Sequence, residues 1–169
     1  MFIYLNKGEK DQWLPQLFDL LYENMQTIAP SGLSYEAEKA QWLKEVSPAL
    51  EKEPRKILLC FVGEELAGYL QYYIRDGLLM VEELQLKKKY QRSLLFYSLC
   101  KYLRKVLPQD LKTVEAYADK RNAASIRLME RLGMKVCEDE TPAPFVHLRA
   151  PAESIYRFFM GNTQPFSRV

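Results

Sequence analysis

VEELQLKKKYQRSLLF, Val81 to Phe96, joins two kinds of periodicity. Up to Leu86 the apolar residues fit an extended strand. From Leu95 onward they recur at i, i+4 and i+8 (Leu95, Leu99, Leu103), which is a helical stripe. Between the two lie Lys87, Lys88, Lys89 and a small polar knot, Gln91, Arg92 and Ser93. The junction reads in two ways. It is either a loop that offers the free amides of a helix N-terminus to a phosphate, or an ordinary strand–turn–helix corner. In both readings it marks where a run of strands gives way to alternating strands and helices.

Upstream, Leu78 to Leu86 is a strand preceded by Asp76-Gly77, a strong hairpin signal because glycine accepts positive φ without steric cost. Leu66 to Ile74 is its partner, and Gly63-Glu64-Glu65 is the turn before that. ILLCFV, Ile57 to Val62, is a continuous apolar run and reads as a buried strand. The three should form an antiparallel meander. Two helices are expected earlier. The first is capped by Asp11, has Pro15 in its first turn, and turns Trp13, Leu17, Leu20 and Leu21 inward. A loop from Thr27 to Leu33 follows. Ser34 then caps a second helix, which presents Trp42, Leu43, Val46 and Leu50, with Pro48 bending or ending it. Phe2 to Leu5 is an opening strand.

Downstream, Phe96, Cys100 and Leu107 flank the helical stripe until Pro108 stops it. Thr113 to Ala118 is a strand. Asn122 caps the next helix, whose inner face reads Ala124, Leu128 and Leu132, and Gly133 sits where a left-handed C-terminal cap belongs. Met134 to Cys137 and Phe145 to Leu148 are two further strands. Pro151 to Met160 is a closing helix with Ile155, Phe158 and Phe159; its Phe158-Phe159 pair suits a core or a homodimer contact. The order β, α, α, β, β, β, α, β, α, β, β, α predicts an α/β (α+β) domain over residues 1–169, with a mixed, mostly antiparallel central sheet flanked by helices.

Composition narrows the functional classes. Lys plus Arg is 24 against 22 Asp plus Glu, a net charge of +2, and no aromatic platform adjoins the lysine cluster, so nucleic acid is not an expected partner. No stretch approaches a membrane span, and the N-terminus lacks the basic head and long apolar run of a signal peptide. Cys60, Cys100 and Cys137 are odd in number, have no metal-like spacing and sit in apolar surroundings, which predicts reduced core thiols in a cytoplasmic protein and no metal site. His147 is the only histidine; in its apolar strand it reads as a structural residue rather than a base.

Three stretches carry a resemblance. VGEELAGYLQYYI (Val62 to Ile74) looks like the second and third strands of the GNAT acetyltransferase superfamily around their hairpin. VEELQLKKKYQRSLLF resembles that superfamily's fourth strand and pyrophosphate loop, usually Q/R-x-x-G-x-G/A. Gln91 takes its first place, and Leu94 and Phe96 stand where small residues are usual. NAASIRLMERLGMKV (Asn122 to Val136) is close to N-x-x-a-x-x-l-Y-e-k-l-G-F, with Met129 in the tyrosine's place. The likeness covers about Phe2 to Leu148.

The resemblance implies a sheet whose fourth and fifth strands splay apart, and transfer of an acetyl group from acetyl-CoA directly to an amine of a small molecule or peptide. It implies a diphosphate held by Gln91, Arg92, Ser93, Leu94, Leu95 and Phe96, a pantetheine arm between the fourth and fifth strands, a thioester oxygen met by a strand-four backbone amide near Leu84, Gln85 and Leu86, and a further bond from Asn122 to the arm. Glu83 is the favoured general base, with Glu82 beside it on the opposite face of the strand. Tyr117 is the substitute acid for the tyrosine that Met129 replaces. A non-catalytic module of the same fold, its cleft closed by Leu94 and Phe96, is the competing expectation.

Overall fold

The computed structural model describes residues 1–52, 54–138 and 141–159, without the side chains of Phe158 and Phe159. Its strands are β1 (Phe2–Tyr4), β2 (Arg55–Val62), β3 (Glu65–Arg75), β4 (Leu78–Leu86), β5 (Thr113–Asp119), β6 (Lys135–Val136) and β7 (Phe145–Pro151). Its helices are α1 (Lys10–Met25), α2 (Tyr35–Lys52), α3 (Leu95–Val106), α4 (Ala123–Arg131) and α5 (Ala152–Phe159). One seven-stranded sheet runs in the order β1-β2-β3-β4-β5-β7-β6. All neighbours are antiparallel except β4 and β5, which are parallel.

Two apolar layers sandwich this sheet, and β2 shows why its sequence has no polar alternation. Ile57, Leu59 and Phe61 face α1 and α2, where Leu14, Leu17, Leu20, Val46 and Leu50 cover them. Leu58 and Cys60 face the other layer, built with Leu95, Leu99, Leu103 and Ile155 from α3 and α5. A strand covered on both sides is apolar throughout. At the β3–β4 hairpin, Asp76 (φ 52°) and Gly77 (φ 80°) both take the left-handed conformation, as a two-residue turn of matching twist requires.

Several expected boundaries move. The chain enters α1 through a short 3-10 turn over Lys7–Glu9, capped by Asn6, whose side chain accepts from the Gly8 amide. Asp11 therefore lies within the first turn of α1 rather than at its cap, and Pro15 lies deeper inside the helix than expected. Pro48 likewise neither bends off nor ends α2, which runs on to Lys52. Each proline removes one amide, but the carbonyls left over belong to the exposed residues Asp11 and Lys44, which solvent can reach. Ser34 caps α2 as expected, its Oγ accepting from the Ala37 amide.

The inner face of α1 is Leu14, Leu17, Phe18, Leu20 and Asn24, with Trp13 and Leu21 half-buried. On α4 the correction is larger. Leu132 packs against the core as expected, but Ala124 is exposed, and Ile126 and Met129 join Leu132 there. The two sets share Leu132, and the bulkier one gains more from burial. Gly133 is left-handed (φ 88°), as its cap position demands.

Cys60 and Cys100 are buried free thiols, pushed up to about 12 by burial. Cys137 is only half-buried, because it follows the short edge strand β6. The Phe158-Phe159 expectation lies outside the described side chains. Among the described residues no helix is long and apolar enough to cross a membrane.

Candidate active site at the strand splay

The ladder between β4 and β5 pairs Leu78–Val81 with Thr113–Ala116 and then stops. Beyond it, β4 continues on β3 alone and β5 on β7 alone. The two central strands thus part, and Glu82 and Tyr117 are the first residues past the last pair.

Glu82 owes its position to a bulge. Gln71 of β3 pairs with Glu83 and Tyr72 pairs with Val81, so Glu82 has no partner in the register. One extra residue cancels the alternation of sides. Glu82 and Glu83 were expected on opposite faces, yet both turn toward the α1–α2 layer. Glu82 accepts two bonds from the Arg55 guanidinium and one from Gln71 Nε2 at 3.1 Å. Glu83 accepts from Trp42 Nε1 of α2 at 3.1 Å and from the Tyr69 hydroxyl. Gln71 and Tyr69 lie two residues apart on β3 and so share a face.

The two carboxylates differ in chemistry. Burial raises the Glu83 carboxyl above the ordinary carboxylate range, against the lowering effect of its bonds from Tyr69 and Trp42. It holds a proton more readily than a free glutamate. Glu82 is tied to a fixed cation and lines an open pocket of about 290 Å³ with Tyr73, Met80, Val81 and Tyr117. Tyr117 is 48% exposed and stacks on His147, ring centroids 4.6 Å apart. Sequence reasoning named Glu82 and Tyr117 separately; the splay brings them to one pocket, from which Glu83 is turned away toward α2. His147 is buried, with Nε2 3.1 Å from Glu115 Oε2, in keeping with a structural residue.

At the other end of the splay stands the N-terminus of α3. Leu94 has ordinary right-handed backbone angles (φ −69°, ψ −3°) and a side chain 79% exposed. Leu95 is buried and Phe96 packs against the core, so neither occupies the space before the helix. The Leu95 amide meets Ser93 Oγ at 3.1 Å, while those of Leu94 and Phe96 meet no acceptor among the described residues. Such amides on a helix axis attract anions.

The side chains nearby are more committed than expected. Gln91 donates to the Leu86 carbonyl at 3.1 Å and to Asn24 Oδ1 at 3.4 Å. Asn24 in turn donates to Gln85 Oε1 and to the Leu86 carbonyl. Gln91 thus fastens the loop to α1 rather than pointing outward. Asn24 was missed; a polar residue one turn past Leu20 on an apolar helix face was the available signal. Lys87 and Lys89 both pair with Glu65, at 2.9 and 2.6 Å, and the Tyr90 hydroxyl joins them at 2.8 Å. Arg92 is exposed, Leu84 is half-buried and Leu86 is buried.

Asn122 caps α4, its Oδ1 accepting from the Ser125 amide at 3.1 Å. That bond leaves its Nδ2 hydrogens without an acceptor among the described residues. The loop before it is fixed by Asp119, which binds Arg121 through the Arg121 amide, Nε and Nη2. Among the described residues no cluster of His, Cys, Asp or Glu has the makings of a metal site.

Comparison with known proteins places this arrangement. The model of the acetyltransferase (GNAT) family matches residues 14–134. Comparison with curated proteins gives no match. Among solved structures, the chain resembles the PaiA N-acetyltransferase of Thermoplasma acidophilum in complex with coenzyme A (TM-score 0.62, 16% identity, 89% of this chain and 99% of that one). It also resembles an acetyltransferase of Thermus thermophilus (TM-score 0.68, 16% identity, 89% and 96%). A third is the aminoglycoside acetyltransferase AAC(6')-Ib in complex with coenzyme A and kanamycin (TM-score 0.63, 16% identity, 93% and 97%). At these identities the structures speak for the fold, and the family model speaks for descent: the chain belongs to the GNAT family of acetyltransferases.

Proposed function

We propose that the protein transfers the acetyl group of acetyl-CoA to an amine by direct attack within a ternary complex. The observation that carries this reading is the open splay, with unbonded amides at the α3 N-terminus at one end and the Glu82–Tyr117 pocket at the other.

The thioester supplies an activated acetyl group; the chain's own residues do the rest. The amides of Leu94 and Phe96 hold the diphosphate, with Arg92 as the exposed cation beside them. The free edge of β4 at Leu84, Gln85 and Leu86 pairs with the amides of the pantetheine arm as an added strand would. Asn122 donates its Nδ2 hydrogens to the same arm. In the pocket, Glu82 meets the incoming ammonium and orients it, and the ammonium proton passes by way of water to Glu83, which lies outside the pocket beside α2 and whose raised proton affinity suits a base. The new bond forms between the amine nitrogen and the acetyl carbon, the carbon–sulfur bond breaks, Tyr117 protonates the departing thiolate, and its phenolate recovers a proton from the new amide nitrogen.

A non-catalytic binding module is the second reading. It is favoured by Met129, which packs against the core and carries no proton to give, and by Gln91, whose amide is already spent on Leu86 and Asn24. Calorimetric titration with acetyl-CoA separates the two. Micromolar binding that weakens about tenfold in Asn122→Asp, which keeps a capping oxygen but loses the amide donor, supports the transferase. Absence of binding at millimolar cofactor supports the module. Release of coenzyme A thiol across a panel of amines then tests turnover itself.

A further inference from the structure

The pocket at the splay specifies more than an amine. Its lining is Tyr73, Met80, Val81, Glu82 and Tyr117: two phenol rings, one thioether side chain, one carboxylate and the strand at Val81, whose own side chain packs against the α3–α5 core. The rings come from different strands, Tyr73 from β3 and Tyr117 from β5, so they flank the opening rather than sharing one wall. Each is already backed on one side. The Arg75 guanidinium lies 5.8 Å from the Tyr73 ring centroid, and His147 stacks on Tyr117 at an interplanar angle of 14°. Met80 is buried at the base.

Charge is scarce here. Among the described residues Glu82 is the only acidic one of the lining, and Arg55 already offsets it with two hydrogen bonds. An acceptor with several positive charges needs several carboxylates when it leaves water. This pocket offers one, whose field is half cancelled. It offers instead apolar area and aromatic faces, which suit a flat hydrophobic body.

We propose that the acceptor is a hydrophobic primary monoamine, aromatic bodies preferred, seated between Tyr73 and Tyr117 with its amino end at Glu82. The inference rests on the transferase reading for its chemistry but makes its own claim about binding.

The test uses the full-length protein, acetyl-CoA, and matched amines: 2-phenylethylamine and tryptamine against spermidine and kanamycin. Thiol release is expected with KM for the aromatic amines about tenfold or more below that for spermidine. In Tyr73→Ala, KM for 2-phenylethylamine rises about tenfold with kcat changed less than about threefold, and Tyr73→Phe restores it, as removal of ground-state contact requires. Spermidine or kanamycin as the better acceptor overturns the inference, and so does an unchanged KM in Tyr73→Ala that melts like the parent. Should acetyl-CoA bind while none of the aromatic amines is acetylated, the inference falls and the transferase reading stands. Should acetyl-CoA not bind, ligand-observed NMR with 2-phenylethylamine decides the pocket alone: saturation transfer that is lost in Tyr73→Ala sustains the binding claim, and its absence in the parent ends it.

Discussion

Glu82 and Glu83 are neighbours in sequence with opposite duties. A guanidinium holds one in place at the pocket wall, and burial raises the proton affinity of the other. Residue identity alone could not sort them, because strict alternation puts them on opposite faces and only the bulge puts them on one. A bulge has no side-chain signature here: VEELQL reads as an uninterrupted strand. Glu65 was equally silent, a charge in a turn. In the fold it gathers Lys89, Lys87 and Tyr90, whose hydrogen bonds lower its carboxyl to about 2. Its folded value lies below its ordinary one, so the stabilisation it brings is complete above the ordinary glutamate range. It is lost as pH falls from there toward 2. We expect Glu65→Gln to flatten this part of the acid unfolding curve by lowering stability near neutrality and leaving it unchanged near pH 2, a small difference because the group is solvent-exposed and screened. Circular dichroism melts between pH 2 and pH 7 read this directly, and an unaltered acid limb would remove Glu65 from the account.

At the scale of elements, the meander was legible because β2 is apolar on both faces and Asp76-Gly77 fits one kind of turn. The Asn122 cap and the Gly133 stop were legible for the same reason: few residues do those jobs. Helix rotation was harder, since α4 has two overlapping apolar faces and the choice depends on what the sheet offers. Closeness between strands was hardest of all. Gly68 faces Leu86 across the β3–β4 ladder, and a Cβ placed there would stand 2.3 Å from the Gln85 carbonyl oxygen and 2.5 Å from Leu86 Cδ2. The carbonyl is backbone and cannot step aside. Gly68→Ala must therefore push β3 away from the end of β4 on which Leu84, Gln85 and Leu86 lie. The expected loss is roughly 3 kcal/mol in urea unfolding, at the upper end of overpacking costs. It should be accompanied by weaker acetyl-CoA binding, although Gly68 is not one of the residues proposed to touch the cofactor. Full stability in this variant would mean that the strands have slack the structure does not show.

On the scale of the whole molecule, the sheet separates two apolar layers. The β4–β5 ladder that links the meander to the β5–β7–β6 half is four residue pairs long. A cofactor lying in the splay would bridge both halves, and so should stabilise the protein as a unit. With acetyl-CoA at about 100 times its dissociation constant, linkage gives about 2.7 kcal/mol and a rise in Tm of roughly 5–10 °C for a chain of this size. Differential scanning fluorimetry measures it; truncated analogues lacking the diphosphate should give much less if the α3 amides are the anchor. Much of this plan was visible from the order of elements. The parallel contact between β4 and β5, and the gap it leaves, came only with the resemblance, because nothing local in either strand says where pairing stops.

The extra residue in β4 has one more consequence. It makes the strand's length a matter of odd and even. Before Glu82 the sides follow one count, and after it the count is offset by one, which is how Gln85 comes to meet Asn24 while Leu86 enters the opposite layer. Trimming the one extra residue would restore plain alternation and leave the tail as it is, its leucines in the α3 layer and its glutamine toward Asn24, with only the carboxylate at the pocket wall lost. Trimming two would turn the tail over, sending its leucines toward the polar contacts of α1 and its glutamine into hydrocarbon.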